Sequence, residues 1–253
     1  MASPGEKLAQ SLELLHQLQK DGKVAIRSKD LTRIHRERLL KNGFLQEVMK
    51  GWYIPARPEE PQGESTAWYA SFWAFCADYL FDRFDEDWCL SPEQSLSLHV
   101  GNRTVPKQLT VRSAKGKNNI TMLLQDSSIF DLHSSMPQPS DIEKRDGLNV
   151  LTLPVSLVNC SPNFMRNNPT DVRAALTAIS DASDVLAYLL EGGHSVIAGR
   201  LAGGFRNIGR QKIADDILKT MKSADFDCRE EDPFDSAAPI SFAKFERSPY
   251  VNR

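Results

Sequence analysis

The sequence predicts an α+β fold, on three observations. Residues 6–20 (EKLAQSLELLHQLQK) place Leu8, Leu12, Leu15 and Leu18 at three- and four-residue spacings, one apolar face of an amphipathic helix. A short basic run, LTRIHRERLLK, is followed at once by two apolar strand-like runs that meet at Met49, Lys50 and Gly51. The last third of the chain is helical in period and is divided at two glycine-containing breaks, EGGH and NIG. Together these predict an N-terminal winged helix-turn-helix (1–57), a mixed α/β middle region (65–154), a C-terminal helical region (155–225) and an extended tail or linker (226–253).

The elements follow in order. Asp21 and Gly22 end the first helix, and residues 24–26 form a short strand-like run. Ser28 caps a short turn through Leu31, and Thr32 is placed to accept the free amides of a second helix that runs to Lys41. Asn42 and Gly43 supply the left-handed conformation that closes it. That helix is expected to bury Ile34, Leu39 and Leu40 and to turn Arg33, His35, Arg36 and Arg38 outward. Residues 44–48 and 52–54 read as a hairpin with a basic tip. Pro55, Pro58 and Pro61, interspersed with glutamates, read as a stiff linker.

Residues 65–84 (STAWYASFWAFCADYLFDRF) are aromatic-rich at helical spacing and read as a buried helix joining two lobes rather than a stacking surface. A short helix over 91–100 and strands at 108–112 and 120–124 follow, the strands separated by the turn SAKGKNN. Residues 126–147, rich in Ser, Pro and Asp, are expected to loop outward before an apolar run at 148–154. Helices are predicted over 171–190, 195–208 and 211–223, and the tail from DPFDSAAP onward shows no packing partner and reads as a linker to a further segment.

Composition excludes several classes. At 253 residues, 41% apolar and 25% charged, the chain can bury a sizeable core, which argues against disorder. No run approaches the roughly 18 apolar residues of a membrane span, and the N-terminus lacks the pattern of a signal peptide, so a cytoplasmic protein without membrane contact is expected. Cys76, Cys89, Cys160 and Cys228 are scattered, with no CxxC pair and no histidine at ligand spacing; they read as reduced, mostly buried thiols rather than a metal site.

Nor does catalytic chemistry emerge. Gly199, Gly203, Gly204 and Gly209 lie inside a helical pattern with no preceding strand and no GK[ST], which favours close helix packing over phosphate binding. His194 lacks a nucleophile elbow and reads as a helix-start residue. DRFDEDW (82–88) lacks the glycine and distal glutamate of a calcium loop and reads as a solvated helix end. Asp215 and Asp216 are adjacent and so diverge on one helix. The expectation is a protein that is not an enzyme and needs no cofactor.

The basic module remains. A net charge of −2 gives no general attraction to nucleic acid, but from Lys23 to Arg57 nine Lys or Arg stand against three Asp or Glu. In a winged helix the second helix of the helix-turn-helix enters the major groove, while the wing and flanking lysines neutralise phosphates. The candidate contacts to double-stranded DNA are Lys23, Arg27, Lys29, Thr32, Arg33, His35, Arg36, Arg38, Lys41 and Lys50. Trp52 and Tyr53 are expected to pack the wing.

The phrase HRERLLKNGFLQEVMKGWYIP, with Gly43, Phe44, Leu45, Val48, Gly51 and Tyr53 at matching positions, resembles the N-terminal winged helix of the AbiEi family, the antitoxin half of type IV toxin-antitoxin pairs. The resemblance continues in LSPEQSLSLHVG, QLTVR and LTLPVSLVNC. It implies a regulator that represses its own operon and restrains a partner toxin, a nucleotidyltransferase or a Fic protein. A homodimer is the expectation that inverted-repeat operators bring, with the C-terminal helices as one source of an interface. The blocks GWYIP, STAWYASFW, WCLSPEQSL and GGHSVIAGRLAG also resemble the N-terminal region of long Fic-family proteins. The Fic loop HPFxxGNGR is absent, and Ala187 stands where the inhibitory motif needs Ser or Thr, so that resemblance implies a non-catalytic, protein-interaction half of an AMP transferase rather than the transferase itself.

Overall fold

The computed structural model of the chain describes residues 3–58 and 65–235, and within them the architecture is α+β. Helix α1 (Pro4–Lys20) opens with a capping box in which Ser3 and Glu6 satisfy each other's amides. It is followed by β1 (Ile26–Arg27), α2 (Arg33–Lys41), β2 (Leu45–Met49) and β3 (Trp52–Pro55). The three strands form one antiparallel sheet in the order β1-β3-β2, with a bulge between Glu47 and Met49 at the hairpin end. Leu15, Ile26, Leu31, Leu39, Leu45 and Tyr53 form its small core. Gly43 takes φ +75° after α2, the left-handed closure the sequence leads one to expect.

The other side of this sheet rests on α3 (Thr66–Phe84). Ala25, Val48 and Ile54 join Trp68, Phe72, Phe75, Tyr79 and Leu80 in the central core, and Trp52 packs edge-on against Phe75 and Tyr79. The Asp78 carboxylate accepts the amides of Val24 and Ala25, each at 3.0 Å, and so pins the entry to β1 onto the helix. Proline linker positions 59–64 lie outside the described residues.

Helix α3 also packs against a four-stranded sheet. Its strands are β4 (Cys89–Leu90), β5 (Gln108–Ser113), β6 (Asn119–Met122) and β7 (Ser128–His133), ordered β4-β5-β7-β6, with β5 and β7 parallel and the other pairs antiparallel. Leu109, Val111 and Ile129 point into the central core, and the Trp68 indole donates to Ser127 at 3.2 Å. Helix α4 (Pro92–His99), capped by Ser91, follows β4. A hairpin of β8 (Ile142–Arg145) and β9 (Leu148–Leu151) turns at Asp146 and Gly147.

Residues 126–147 therefore do not loop outward. They contain β7, an inner strand, together with a short 3-10 turn (Pro139–Asp141) and β8. What conceals β7 in the sequence is Asp131, a carboxylate at an inward position with no exposed surface. It is satisfied by the amides of Lys117 (2.8 Å) and Asn119 (2.9 Å) and by the Arg83 guanidinium.

The chain ends in helices α5 (Leu153–Asn159), α6 (Pro162–Asn167), α7 (Pro169–Ala178), α8 (Ser183–Glu191), α9 (Ser195–Asn207) and α10 (Gln211–Ser223) around a second large core, to which α4 contributes Leu96. The single helix expected over 171–190 is two. Asp184 accepts the amides of Ser180 and Asp181, Asp181 accepts that of Ser183, and Arg210 donates to the freed carbonyls of Thr177 and Ile179. No helix of the described residues is long and apolar enough to cross a membrane.

The segment after α10 has a partner that was not apparent from its composition. As far as Asp235 it lies along α9, where the Glu231 amide donates to the Gly199 carbonyl at 3.2 Å, Arg206 holds Glu230, and Asn207 donates to Asp232 at 2.7 Å. A Cβ on Gly199 would overlap the Arg229 carbonyl, and one on Gly203 that of Glu231, while Gly204 faces Leu176 of α7 and Pro233. The glycines of α9 thus admit an extended strap as well as a neighbouring helix. The tail from residue 236 lies outside the described residues.

Two outcomes test these contacts. Asp78→Ala leaves two partly buried amides unpaired and is expected to lower stability by about 1–3 kcal/mol in urea unfolding. Gly203→Ala is expected to dislodge the strap at a similar cost, about 1–3 kcal/mol, and to accelerate hydrogen exchange at the Glu231 amide, whereas unchanged exchange there would contradict the close approach.

Candidate nucleic-acid interface

Helix α2 is held on one side by α1. The buried Ser11 hydroxyl lies 2.9 Å from His35 Nδ1, and Arg38 Nη1 donates to Ser11 Oγ at 2.8 Å and to the Lys7 carbonyl at 2.6 Å. On the other side, Arg36 Nη1 donates to the Ser28 carbonyl at 2.9 Å and its guanidinium sits 5.8 Å from the centre of the Tyr53 ring. Ser28 is in turn tied to the hairpin through the Gly51 carbonyl. His35, Arg36 and Arg38 are accordingly half-buried and position the helix; the expectation that all three point outward is corrected. Long cationic side chains do this readily, covering apolar surface with their stems while the charged end reaches a carbonyl.

Ile34 is corrected in the opposite direction. It is 66% exposed, and the apolar anchorage of α2 comes from Leu39 with half-buried Leu40. Thr32 occupies the N-cap position, but its side chain makes no capping bond. The outward face of α2 consists of Thr32, Arg33, Ile34, Glu37 and Lys41, all exposed. Arg33 Nε donates to Glu37 at 2.6 Å, one turn along. Lys41, and Lys50 at the hairpin tip, are exposed and have no ion pair among the described residues. Beside this face a shallow groove is lined by Lys7 and Leu8 of α1 with Ile34, Glu37 and Lys41 of α2. Lys7 was missed in the sequence because it is local to α1 and only helix packing brings it to α2.

The flanking cations have other partners. Lys23 pairs with Asp30 at 3.1 Å, Arg27 with Asp30 and with Asp82 of α3, and Lys29 approaches Asp82 at 3.9 Å. The Arg27 guanidinium also lies 6.0 Å from the Trp52 ring centre. Part of the local positive surplus is thereby neutralised by an acid from outside the segment. Asp82 was expected at a solvated helix end; it is a bracket between α3 and the N-terminal sheet, and Glu86 in the same run is taken by Lys144 at 2.7 Å. Among the described residues no group of three or more His, Cys, Asp or Glu is arranged to hold a metal ion. The cysteines are free; burial pushes the Cys89 thiol up to about 11 and those of Cys76 and Cys160 higher still, so they are poor nucleophiles.

Partial burial would raise the Asp30 pKa, but the Arg27 amide and the Lys23 and Arg27 charges outweigh it and hold the carboxyl below its ordinary value. A depressed folded pKa contributes stability that is present above the unfolded value and lost as pH falls through the folded one. Asp30→Asn is therefore expected to melt below the wild type near pH 7 and to converge with it as the pH falls through the depressed folded pKa of Asp30. A gap that persists unchanged in acid would contradict the bracket.

No family model matches the chain, and no curated protein matches it significantly. Its structure is similar to the crystal structure of the RV2827C protein from Mycobacterium tuberculosis, with 14% sequence identity, a TM-score of 0.49, and coverage of 84% of this chain and 80% of that one. At that level the likeness carries no inference about the site.

Proposed function

We propose that this chain is a non-catalytic, DNA-binding regulator in which α1 through β3 act as a winged helix. The observation that carries the reading is the uncovered outward face of α2, with Arg33 and Lys41 exposed on it and Lys50 exposed at the tip of the adjoining hairpin. His35, Arg36 and Arg38 hold that helix, while Lys23, Arg27 and Lys29 lie against Asp30 and Asp82. This division suits a reading head, because a helix that must enter a groove has to be fixed from behind.

The chemistry of the exposed face suits a base-pair edge. Arg33 can address guanine bidentately, Ile34 can contact a thymine methyl, and Glu37 can accept from cytosine. The Arg33–Glu37 pair is exposed to solvent, which screens it, so exchanging it for DNA contacts costs little. Lys41 and Lys50 then serve the phosphates. Of the expected contacts, Lys23, Arg27 and Lys29 would have to leave carboxylates first, and His35, Arg36 and Arg38 act through the helix they anchor. In keeping with the resemblance to AbiEi antitoxins, the remainder of the chain would restrain a partner toxin.

The test is a fluorescence-anisotropy titration against the chain's own upstream DNA and a scrambled duplex at several salt concentrations. Lys41→Ala and Lys50→Ala are each expected to weaken binding to both duplexes and to reduce the salt slope by about 1. Arg33→Ala is expected to lower the preference for the native duplex by about 1–3 kcal/mol. Equal binding to both duplexes, or a salt slope indifferent to Lys41 and Lys50, would overturn the proposal. Charge reversal at Arg36 and Arg38 would not serve, since it would unseat α2.

A further inference from the structure

Strand β6 is an outer edge of the four-stranded sheet, bonded to β7 on one side only. Its two large side chains face away from the core: Ile120 is 58% exposed and Met122 60%. The alternate positions, Asn119 and Thr121, lie opposite the fully buried Asp131 and Ile129. Edge strands are ordinarily protected by a proline, a lysine or a bulge, and the four residues of β6 contain no proline or charge and pair with β7 in unbroken register. The Leu123 amide bonds the Ser127 carbonyl at 2.9 Å, which sets the alternation. Residues 119, 121 and 123 direct their main-chain groups at β7, and Ile120 and Met122 direct theirs at solvent.

We propose that this edge pairs with β6 of a second copy of the chain, antiparallel, about a two-fold axis at Thr121. Side-chain facing and free main-chain groups both repeat every two residues and so decide which faces meet; among the registers they leave, the one centred on Thr121 sets Ile120 opposite Met122 on both sides of the axis. Setting Ile120 of one copy opposite Met122 of the other keeps every apolar side chain on the exposed face, and it also pairs the free amides and carbonyls of both residues. A shift by one residue would set exposed Ile120 against inward Leu123 and break both matches.

Charge favours a second copy over an unrelated strand. Lys117 precedes β6 and Asp126 follows it in the turn to β7; both are exposed, and neither side chain has an ion pair among the described residues. Antiparallel self-pairing brings the Lys117 end of each copy alongside the Asp126 turn of the other, twice per dimer. A strand pair this short buries less than the roughly 1,200 Å² of a stable interface, so the association is a concentration-dependent equilibrium. It uses no residue of α2 or of the β2–β3 hairpin and stands apart from the DNA reading.

Sedimentation velocity on the full chain, from about 1 µM to about 1 mM, tests it. The wild type is expected to pass from monomer towards dimer, and Ile120→Lys with Met122→Lys to remain monomeric throughout with an unchanged melting curve, since both side chains are exposed. Lys117→Glu and Asp126→Lys are each expected to lose the dimer alone and to regain it when mixed, because only the mixed pair has opposite charges at both contacts. If the double lysine variant fails to fold, the mixing experiment decides. A wild type that stays monomeric, a dimer that survives the lysines, a growing series of larger species, or no recovery on mixing would each overturn the proposal.

Discussion

The packing of α3 between two sheets is the constraint on which the rest of the structure depends. Trp68, Phe72, Phe75 and Leu80 have no exposed surface, and both sheets contribute side chains to the core around them. Burying a large apolar side chain contributes roughly 1.5–3 kcal/mol, so neither sheet has a comparable partner without this helix. Asp78 adds direction to a contact that apolar burial alone leaves free to slide. As a half-buried carboxylate facing two amides, it sets where β1 begins against α3 and so fixes how the N-terminal unit stands on the body.

The basic segment shows how a count of charges can mislead about their use. Its surplus cations fall into two sets of similar composition. Arg36, Arg38 and, nearby, Arg27 end on carbonyls or carboxylates within the protein, whereas Arg33, Lys41 and Lys50 face solvent. Each set depends on the other. An outward face on a helix of nine residues is useful only if the helix is held, because so short a helix has little stability of its own.

The strap along α9 obeys similar physics with the chemistry reversed. Here the body offers no side chain at all at Gly199 and Gly203, and main chain approaches main chain. Arg206, bonded to both Glu230 and Asp215, links the strap to α10 and raises its own pKa through those carboxylates. The glycine pattern was visible in the sequence as a sign of close packing; that an extended strand, rather than only a second helix, fills the space depends on residues nearly thirty positions away.

The sequence by itself determined the elements whose signal is local: the leucine face of α1, the short helix α4, the Gly43 stop, the hairpin around Lys50 and the buried aromatic helix. It failed at β7 because Asp131 looks like a loop residue until Arg83 and two distant amides meet it, and within 171–190 because the helix break is made by caps and by Arg210 from α10. At the candidate interface it identified the segment and misassigned its faces. Periodicity specifies which residues share a side of α2 but not which side is covered. Only the tertiary structure decided that, by bringing Ser11 and Lys7 of α1 against His35 and Arg38 and leaving Ile34 in water, because direction on a short amphipathic helix is set by its neighbours in space.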